Sequence, residues 1–295
     1  MNSKINILGI AILLLMASCT KNEVPKAYLI GIEAFKELSR KNTVKIIDFR
    51  KLEAYNKGHI KNSIHIWRTD IEDRSFPYGG MKASKKQLET LFSKLGIEKE
   101  DTLLIFDDKG LSDAARLWWV LQYYNFTNVM LLDGGFSTVK SAEIPLTIEK
   151  SIHPATNFSF SSEINTTYFA SKRQLEKAVE NGAIILDTRT TDEYLGNILK
   201  KGAFVKGKIP NSQLLDWASA INYSGDKKTK TVIALEKIYS KIGAKKNDTI
   251  YVYCHSGVRS AHTTFVLTQL LGYKHVLNYD GSWIEWSYYQ EKLLQ

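Results

Sequence analysis

Short apolar runs alternate along the chain with longer stretches whose apolar positions recur at helical spacing. The runs "LLIF" (103–106) and "IYVY" (250–253) are apolar throughout, the pattern of parallel strands covered on both faces. Between such runs, "SDAARLWWVLQYY" (112–124) places Ala115, Leu117, Trp118, Leu121 and Tyr124 on two adjoining apolar faces, which predicts a helix packed on two sides. Trp118 and Trp119 are therefore read as core. The alternation of strand and helix predicts an α/β fold with mainly parallel sheets flanked by helices.

The pattern occurs twice. "VKIIDFRKLEAYNKGHIKNSIHI" (44–66) matches "AIILDTRTTDEYLGNILKKGAFVKGKIPNSQLL" (183–215): each has a strand ending in Asp-x-Arg, then an acidic residue, a Tyr and a Gly-x-Ile turn. "DTLLIFDDKGLSDAARLWWVLQYYNFTNVMLLDGGF" (101–136) matches "DTIYVYCHSGVRSAHTTFVLTQLLGYKHVLNYDGSW" (248–283). Asp48 aligns with Asp187 and Asp107 with Cys254. These landmarks lie 59 residues apart in the first copy and 67 in the second, so the second copy carries eight more residues between them. This is a tandem duplication rather than a short-period solenoid. Two domains are predicted, 25–147 and 163–295, with the polar segment 148–162, which contains Pro154, as a linker.

Composition agrees. The chain has 295 residues, 44% hydrophobic and 24% charged, as expected of two packed domains. The net charge of +9 is spread through turns and helix faces such as "GDKKTKT" (225–231) and "KIGAKKND" (241–248). These read as solvated faces rather than a nucleic-acid surface, although a positive potential helps gather small anions. The six histidines and two cysteines show no metal-ligand spacing.

Residues 1–19, "MNSKINILGIAILLLMASC", have a basic start, an apolar run too short for a comfortable membrane span, and small residues before a cysteine. They resemble a bacterial lipoprotein signal with "MASC" (16–19) as the lipobox and Cys19 as the lipidation site. The resemblance implies a lipid-anchored protein of the cell envelope, with Thr20 pointing to the outer membrane. With Cys19 acylated, Cys254 has no disulfide partner in the chain, so it is either inert and buried or functional.

The surroundings of Cys254 favour function. A strand delivers it to the carboxyl end of a sheet, where open α/β folds place their sites. In "CHSGVRS" (254–260), Gly257 permits a turn in which successive backbone N–H groups curl around the sulfur, backed by a helix N-terminus. That field, with Arg259 nearby, lowers a thiol pKa and suits a thiolate or a persulfide. The first copy keeps the scaffold but has Asp107 at the cysteine position, so one domain looks catalytic and its twin structural. Cysteine phosphatases use Cys-x5-Arg. Here only four residues separate Cys254 from Arg259, a tighter cup that suits one sulfur atom better than a phosphoryl group.

The loop resembles that of a rhodanese, and the two-domain layout is similar to a thiosulfate or 3-mercaptopyruvate sulfurtransferase. The supporting segments are "LDTRTTDEYLG" (186–196), "GKIPNS" (207–212), "CHSGVRSAHTTFVLTQLLGY" (254–273) and "NYDGSWIEW" (278–286). In the first domain they are "IDFRKLEAYNKGHIKNS" (47–63), "SDAARLWW" (112–119) and "LLDGGF" (131–136). The resemblance implies that Cys254 is the nucleophile and carries a persulfide, with no metal or organic cofactor. It implies that His255, Ser256, Gly257, Val258, Arg259 and Ser260 bind the small anionic sulfur donor, chiefly through backbone amides, and that a thiol or cyanide accepts the sulfur.

Arg259 and the "GVRSAH" run favour thiosulfate as donor, while Ser256 fits the mercaptopyruvate type. His255, partly charged near neutrality, stands where the thiosulfate type often has Arg. Animal thiosulfate enzymes carry a substrate-binding arginine where this chain has Glu193, so that role does not transfer. Lys208 replaces the His common in the Gly-His-Ile turn, where the first copy keeps His59. Asp187 is read as structural support, and Arg189 either joins it in propping the loop or helps bind the donor. His262 has a packing or solvent role, and Trp283 and Trp286 a packing role. The alternative to an enzyme is a binding module or slow persulfide carrier on the same scaffold.

Overall fold

The computed structural model describes residues 28–294. The expected lipidation site Cys19 and the signal segment 1–19 lie outside them.

The first half contains β1 (Leu29–Ile30), α1 (Ile32–Leu38), β2 (Val44–Asp48), α2 (Leu52–Asn56), β3 (His59–Ile60), β4 (Ile64–His65), α3 (Lys85–Lys94), β5 (Thr102–Phe106), α4 (Ser112–Tyr123), β6 (Val129–Leu132), α5 (Gly135–Ser141) and β7 (Leu146–Thr147). The second contains β8 (Phe169–Ala170), α6 (Lys172–Glu180), β9 (Ile184–Asp187), α7 (Thr191–Leu195), β10 (Gln213–Leu214), α8 (Val232–Tyr239), β11 (Thr249–Tyr253), α9 (Val258–Phe265), β12 (His275–Tyr279) and α10 (Ser282–Leu294). The two five-stranded sheets are parallel throughout, with orders β1-β6-β5-β2-β4 and β8-β12-β11-β9-β10. These orders superpose element for element, so the duplication read in the sequence is a duplication of topology. The fully apolar runs became the central strands β5 and β11, which need apolar side chains on both faces.

Helix starts follow local chemistry. Ser84, Ser171 and Thr190 each cap a helix and are answered three residues on by Gln87, Gln174 and Glu193.

Helix α4 is buried almost all round because it packs on its own sheet and on α9 of the other half. The edge of Trp118 meets Phe265 at 5.0 Å, and Ala261 and Phe265 share one apolar cluster with Trp118 and Trp119. Arg116 on α4 crosses the same boundary. Its buried guanidinium pairs with Asp280 at 2.6 Å and donates to the carbonyls of Gly80 at 2.9 Å and Gly257 at 3.4 Å.

The segment 148–162, expected as a linker, is docked on the first half. It has no regular structure, but Phe158 and Phe160 are buried against Phe92 and Phe126 of the first half. Thr156 N–H donates to the Ser93 carbonyl, and Phe160 N–H to Glu89. Two aromatics in a polar stretch suffice to dock it as a strap.

Replacing Arg116 with Met strands the buried Asp280 carboxylate. Removing one partner of a buried pair typically costs about 3–5 kcal/mol. Thermal melts of Arg116→Met are expected to show a clearly lower midpoint than the parent; an unchanged midpoint would show that the bridge contributes nothing.

Candidate functional site

Cys254 follows β11 directly, and the loop it opens is held from below by one side chain. The Ser282 hydroxyl accepts the N–H groups of Cys254 at 3.1 Å and Gly257 at 3.0 Å, and donates to the Tyr279 carbonyl. Ser282 has φ 50°, a left-handed conformation that is costly for a side-chain-bearing residue. The two captured N–H groups offset that cost. The carbonyls of Cys254 and His255 accept from Trp283 and Ile284 at the start of α10. Gly257 caps α9 at φ +73°, and a Cβ there would fall 2.5 Å from the Asp280 carbonyl and 2.7 Å from Arg116. Only glycine satisfies both constraints.

The corresponding loop in the first half shows what this backbone binds. Asp107, at the Cys254 position, is buried, and its carboxylate accepts the N–H groups of Lys109, Leu111, Asp113 and Ala114 at 2.8–3.0 Å. Burial and the neighbouring Asp113 push it up to about 6, while those N–H groups pull it down. An anion thus sits in the nest, one bond further from Cβ than a cysteine sulfur would reach. In the second loop that outer place matches the terminal sulfur of a Cys254 persulfide.

Cys254 itself is 0% exposed. Burial pushes its thiol pKa up, but Arg259, the Ser260 hydroxyl at 3.4 Å, and the N–H groups of Ser260 and Ser256 outweigh burial and bring it below the ordinary value.

Arg259 is engaged within the protein. Its guanidinium makes a two-pronged pair with Glu193, at 2.6 and 2.7 Å. Glu193 answers the Thr190 cap and also meets Lys200 at 3.6 Å. Burial alone would raise the Glu193 carboxyl, yet Arg259 overrides it and holds the group at about 2. Arg259 therefore acts on the sulfur through its field.

Two expectations are corrected. Arg189, carried as a donor-binding candidate, is sealed: it pairs with Asp187 at 2.6 Å, donates to the Gly207 carbonyl and stacks 4.7 Å over Trp283. Asp187 also accepts the Tyr253 hydroxyl at 2.6 Å, so the pair braces the end of β9 against the end of β11. His255, expected to be partly charged, is pushed down to about 4 by burial and by Lys200, although the Lys201 carbonyl, 3.0 Å from its Nε2, favours the charged form. It is neutral at physiological pH.

Other residues fall where packing put them. His262 is buried against Trp217 and pushed down to about 3 by desolvation. Trp283 is core and bonds the Val205 carbonyl. Lys208 lies 3.9 Å over Tyr194. The sequence reading missed Ser282, Lys200, Arg116 and Asp280. The only local signal was the Thr190-x-x-Glu193 capping spacing, which marked Glu193 as ordered but not as the partner of Arg259.

The sulfur is closed in from two sides. Gly80 of the first half packs on Ser256, where a Cβ would come 2.9 Å from that side chain, and Arg116 locks this cover through buried contacts. On the other side, the segment around Lys200–Gly202 rests on His255 through one hydrogen bond and the 3.6 Å pair with Glu193.

The geometry defines a class: a tandem α/β protein with a buried free cysteine in a backbone anion nest and a carboxylate in the matching nest of its twin. The family model for rhodanese-like domains matches residues 32–142 and 171–288, and the chain belongs to that family. The "Putative thiosulfate sulfurtransferase" of Mycolicibacterium smegmatis is 32% identical over 240 residues, 79% of this chain and 84% of that protein. The "Sulfur carrier protein TtuD" of Thermus thermophilus is 32% identical over 242 residues, 79% of this chain and 83% of that protein. Among solved structures, the 3-mercaptopyruvate enzyme SseA of Escherichia coli shares the fold at TM-score 0.73 and 22% identity, with 88% of this chain and 99% of that chain covered. Tum1 of Saccharomyces cerevisiae does so at TM-score 0.74 and 23% identity, with 88% and 94% covered.

Glu193→Gln leaves the Arg259 charge without its carboxylate. Its expected effects are a stability loss of about 3 kcal/mol at neutral pH, measured by denaturant unfolding, and a loss that shrinks in acid. The sign follows from the depressed carboxyl: its stabilisation is complete above the unfolded value of 4.5 and disappears as pH falls through about 2. A parent–variant gap that does not narrow between pH 5 and 2 would contradict the pairing.

Proposed function

We propose that the protein is a sulfurtransferase that takes sulfane sulfur from thiosulfate and passes it to cyanide or a thiol. The observation that carries this reading is the nest around Cys254, whose twin already holds a carboxylate at the place a persulfide's outer sulfur would occupy. The Cys254 thiolate attacks the outer sulfur of thiosulfate. The S–S bond of the donor breaks and sulfite leaves with the bonding pair. The persulfide anion rests on the N–H groups of the loop. Cyanide then attacks the outer sulfur, thiocyanate departs, and the thiolate returns. The names borne by relatives at 32% identity support the donor choice. The closed Arg259–Glu193 fork argues against phosphoryl transfer, which would need that guanidinium on the substrate.

Membrane anchoring through Cys19 belongs to the same proposal. Its support is sequence alone: the apolar run from Ile5 to Met16 and the lipobox "MASC". Among the described residues no helix is long and apolar enough to cross a membrane. Acyl chains at Cys19 would hold the protein at the cell envelope, on the outer membrane as Thr20 suggests.

The reaction is tested by initial rates of thiocyanate formation with thiosulfate or 3-mercaptopyruvate as donor. Thiosulfate turnover is expected, following ping-pong kinetics and falling to background in Cys254→Ser. A preference for mercaptopyruvate would overturn the donor. Stoichiometric sulfur loading without turnover would make the protein a carrier. Anchoring is tested by fractionating cells that express Cys19→Ala: the variant is expected in the soluble fraction and the parent with membranes, and identical partitioning would refute the anchor.

A further inference from the structure

Where the linker docks on the first half, it closes over a hollow of about 320 Å³, a volume that takes a small organic molecule. Leu52, Tyr55, Leu95 and Ile148 give the hollow an apolar wall. The Tyr55 ring is backed by His59, stacked at 3.7 Å. His59 is fixed in turn, with one ring nitrogen 3.0 Å from the Tyr55 carbonyl and the other 3.0 Å from that of Glu149 in the linker. Three polar atoms from residues of this wall, Ser63 Oγ, Ser151 Oγ and His153 Nε2, are buried and have no hydrogen-bond partner among the described residues. Ser63 is 0% exposed.

The duplication explains the Ser63 hydroxyl. Its counterpart Ser212 bonds the Ile209 carbonyl at 2.7 Å and the Tyr253 hydroxyl at 3.1 Å. At the position of Tyr253 the first half has Phe106, which offers no hydroxyl. The neighbouring bond is kept in both copies: Tyr55 donates to the Ser63 carbonyl and Tyr194 to that of Ser212. The scaffold is intact, and one polar atom has lost its partner beside an apolar hollow. A buried hydroxyl in that state is unfavourable, and a ligand with hydrogen-bonding atoms removes the penalty.

Charge narrows the ligand class. His153 also lines a second hollow, of about 380 Å³, together with Arg40, Lys41, Lys45 and Lys61. Lys45 meets Asp101 at 3.9 Å. Lys150 lines the apolar hollow. Among the described residues no aspartate or glutamate lines either hollow, and Glu53 and Glu149, adjacent in sequence to lining residues, are exposed. Burial and Lys45 push the His153 imidazole down, so it is neutral and takes part as a hydrogen-bonding group.

We propose that the two hollows together bind a small amphipathic organic anion, whose apolar body lies against Tyr55, Leu95 and Ile148 and whose acidic group sits at His153, facing Arg40, Lys41 and Lys61. Such a ligand ties the linker to the first half. None of these residues belongs to the Cys254 loop or to the segments that cover it, so the inference does not rest on the sulfurtransferase reading.

The test is calorimetric titration of the full chain with naphthalene-2-sulfonate as the probe. One bound equivalent is expected, with a thermal midpoint that rises with probe concentration. Ser151→Trp, which fills the hollow from the linker side, should abolish binding. Arg40→Ala combined with Lys41→Ala, both at exposed positions, should weaken it about tenfold, and Ser63→Ala about threefold. The neutral analogue 2-naphthol should bind about tenfold more weakly than the sulfonate. Cys254→Ser should bind as the parent does. Absence of binding to the parent overturns the inference, as does binding that survives Ser151→Trp. Binding lost in Cys254→Ser would place the probe at the catalytic cysteine and overturn it too. Equal affinity for 2-naphthol would overturn the assignment of an anion.

Discussion

Backbone N–H groups at a buried helix start are the constraint on which both halves depend. The first turn of a helix has donors with no internal partner, and here those turns lie under the facing half rather than in water. Each loop must therefore enclose an anion. In the first half the Asp107 carboxylate supplies it through four N–H contacts. In the second the sulfur of Cys254 enters the corresponding nest, one bond nearer Cβ than the Asp107 oxygens, with N–H groups of Ser256 and Ser260 turned to it. Burial opposes the thiolate, and Arg259, the Ser260 hydroxyl and the N–H groups of Ser260 and Ser256 outweigh it. Reactivity and packing are one requirement.

The two halves meet through matching contacts. Lys82 N–H of the first half donates to Asp280 of the second at 3.2 Å, and Thr229 N–H of the second donates to Asp133 of the first at 2.9 Å. Asp133 and Asp280 occupy equivalent places after β6 and β12. Each donor sits in a short bridged loop, Glu72 with Lys82 and Ile221 with Thr229. The symmetry ends at Arg116, whose guanidinium reaches Asp280 and the Gly257 carbonyl, whereas the aligned position in the second half is Thr263. The added charge pair lies on the side of the catalytic loop, which has the sulfur to hold.

Much of this was legible in the chain. Strand identity, parallel pairing and the tandem layout follow from local periodicity, and the apolar runs landed on β5 and β11. The Cys254 loop was legible because strand, turn and helix start are contiguous, so Gly257 and the donors of Ser256 and Ser260 are a local matter. The Arg259–Glu193 fork spans 66 residues and the Arg116–Asp280 bridge 164. No pattern along the chain encodes such pairs, and Glu193 registered only as a departure from an expected arginine. His255 was misjudged because its neutrality comes from burial and from Lys200, both products of tertiary structure. The linker 148–162 was legible by its polar character, but its docking through Phe158 and Phe160 depends on tertiary contacts with Phe92 and Phe126.

The cover that Gly80 places on Ser256 comes from the half that lacks a nucleophile. A duplicated gene is free to lose one of two catalytic centres, but here the surviving centre uses the body of its silent copy as part of its wall. Substitutions at Arg116 or Gly80 in that half therefore act directly on the backbone and side chains of the Cys254 loop, so neither half is a self-sufficient unit.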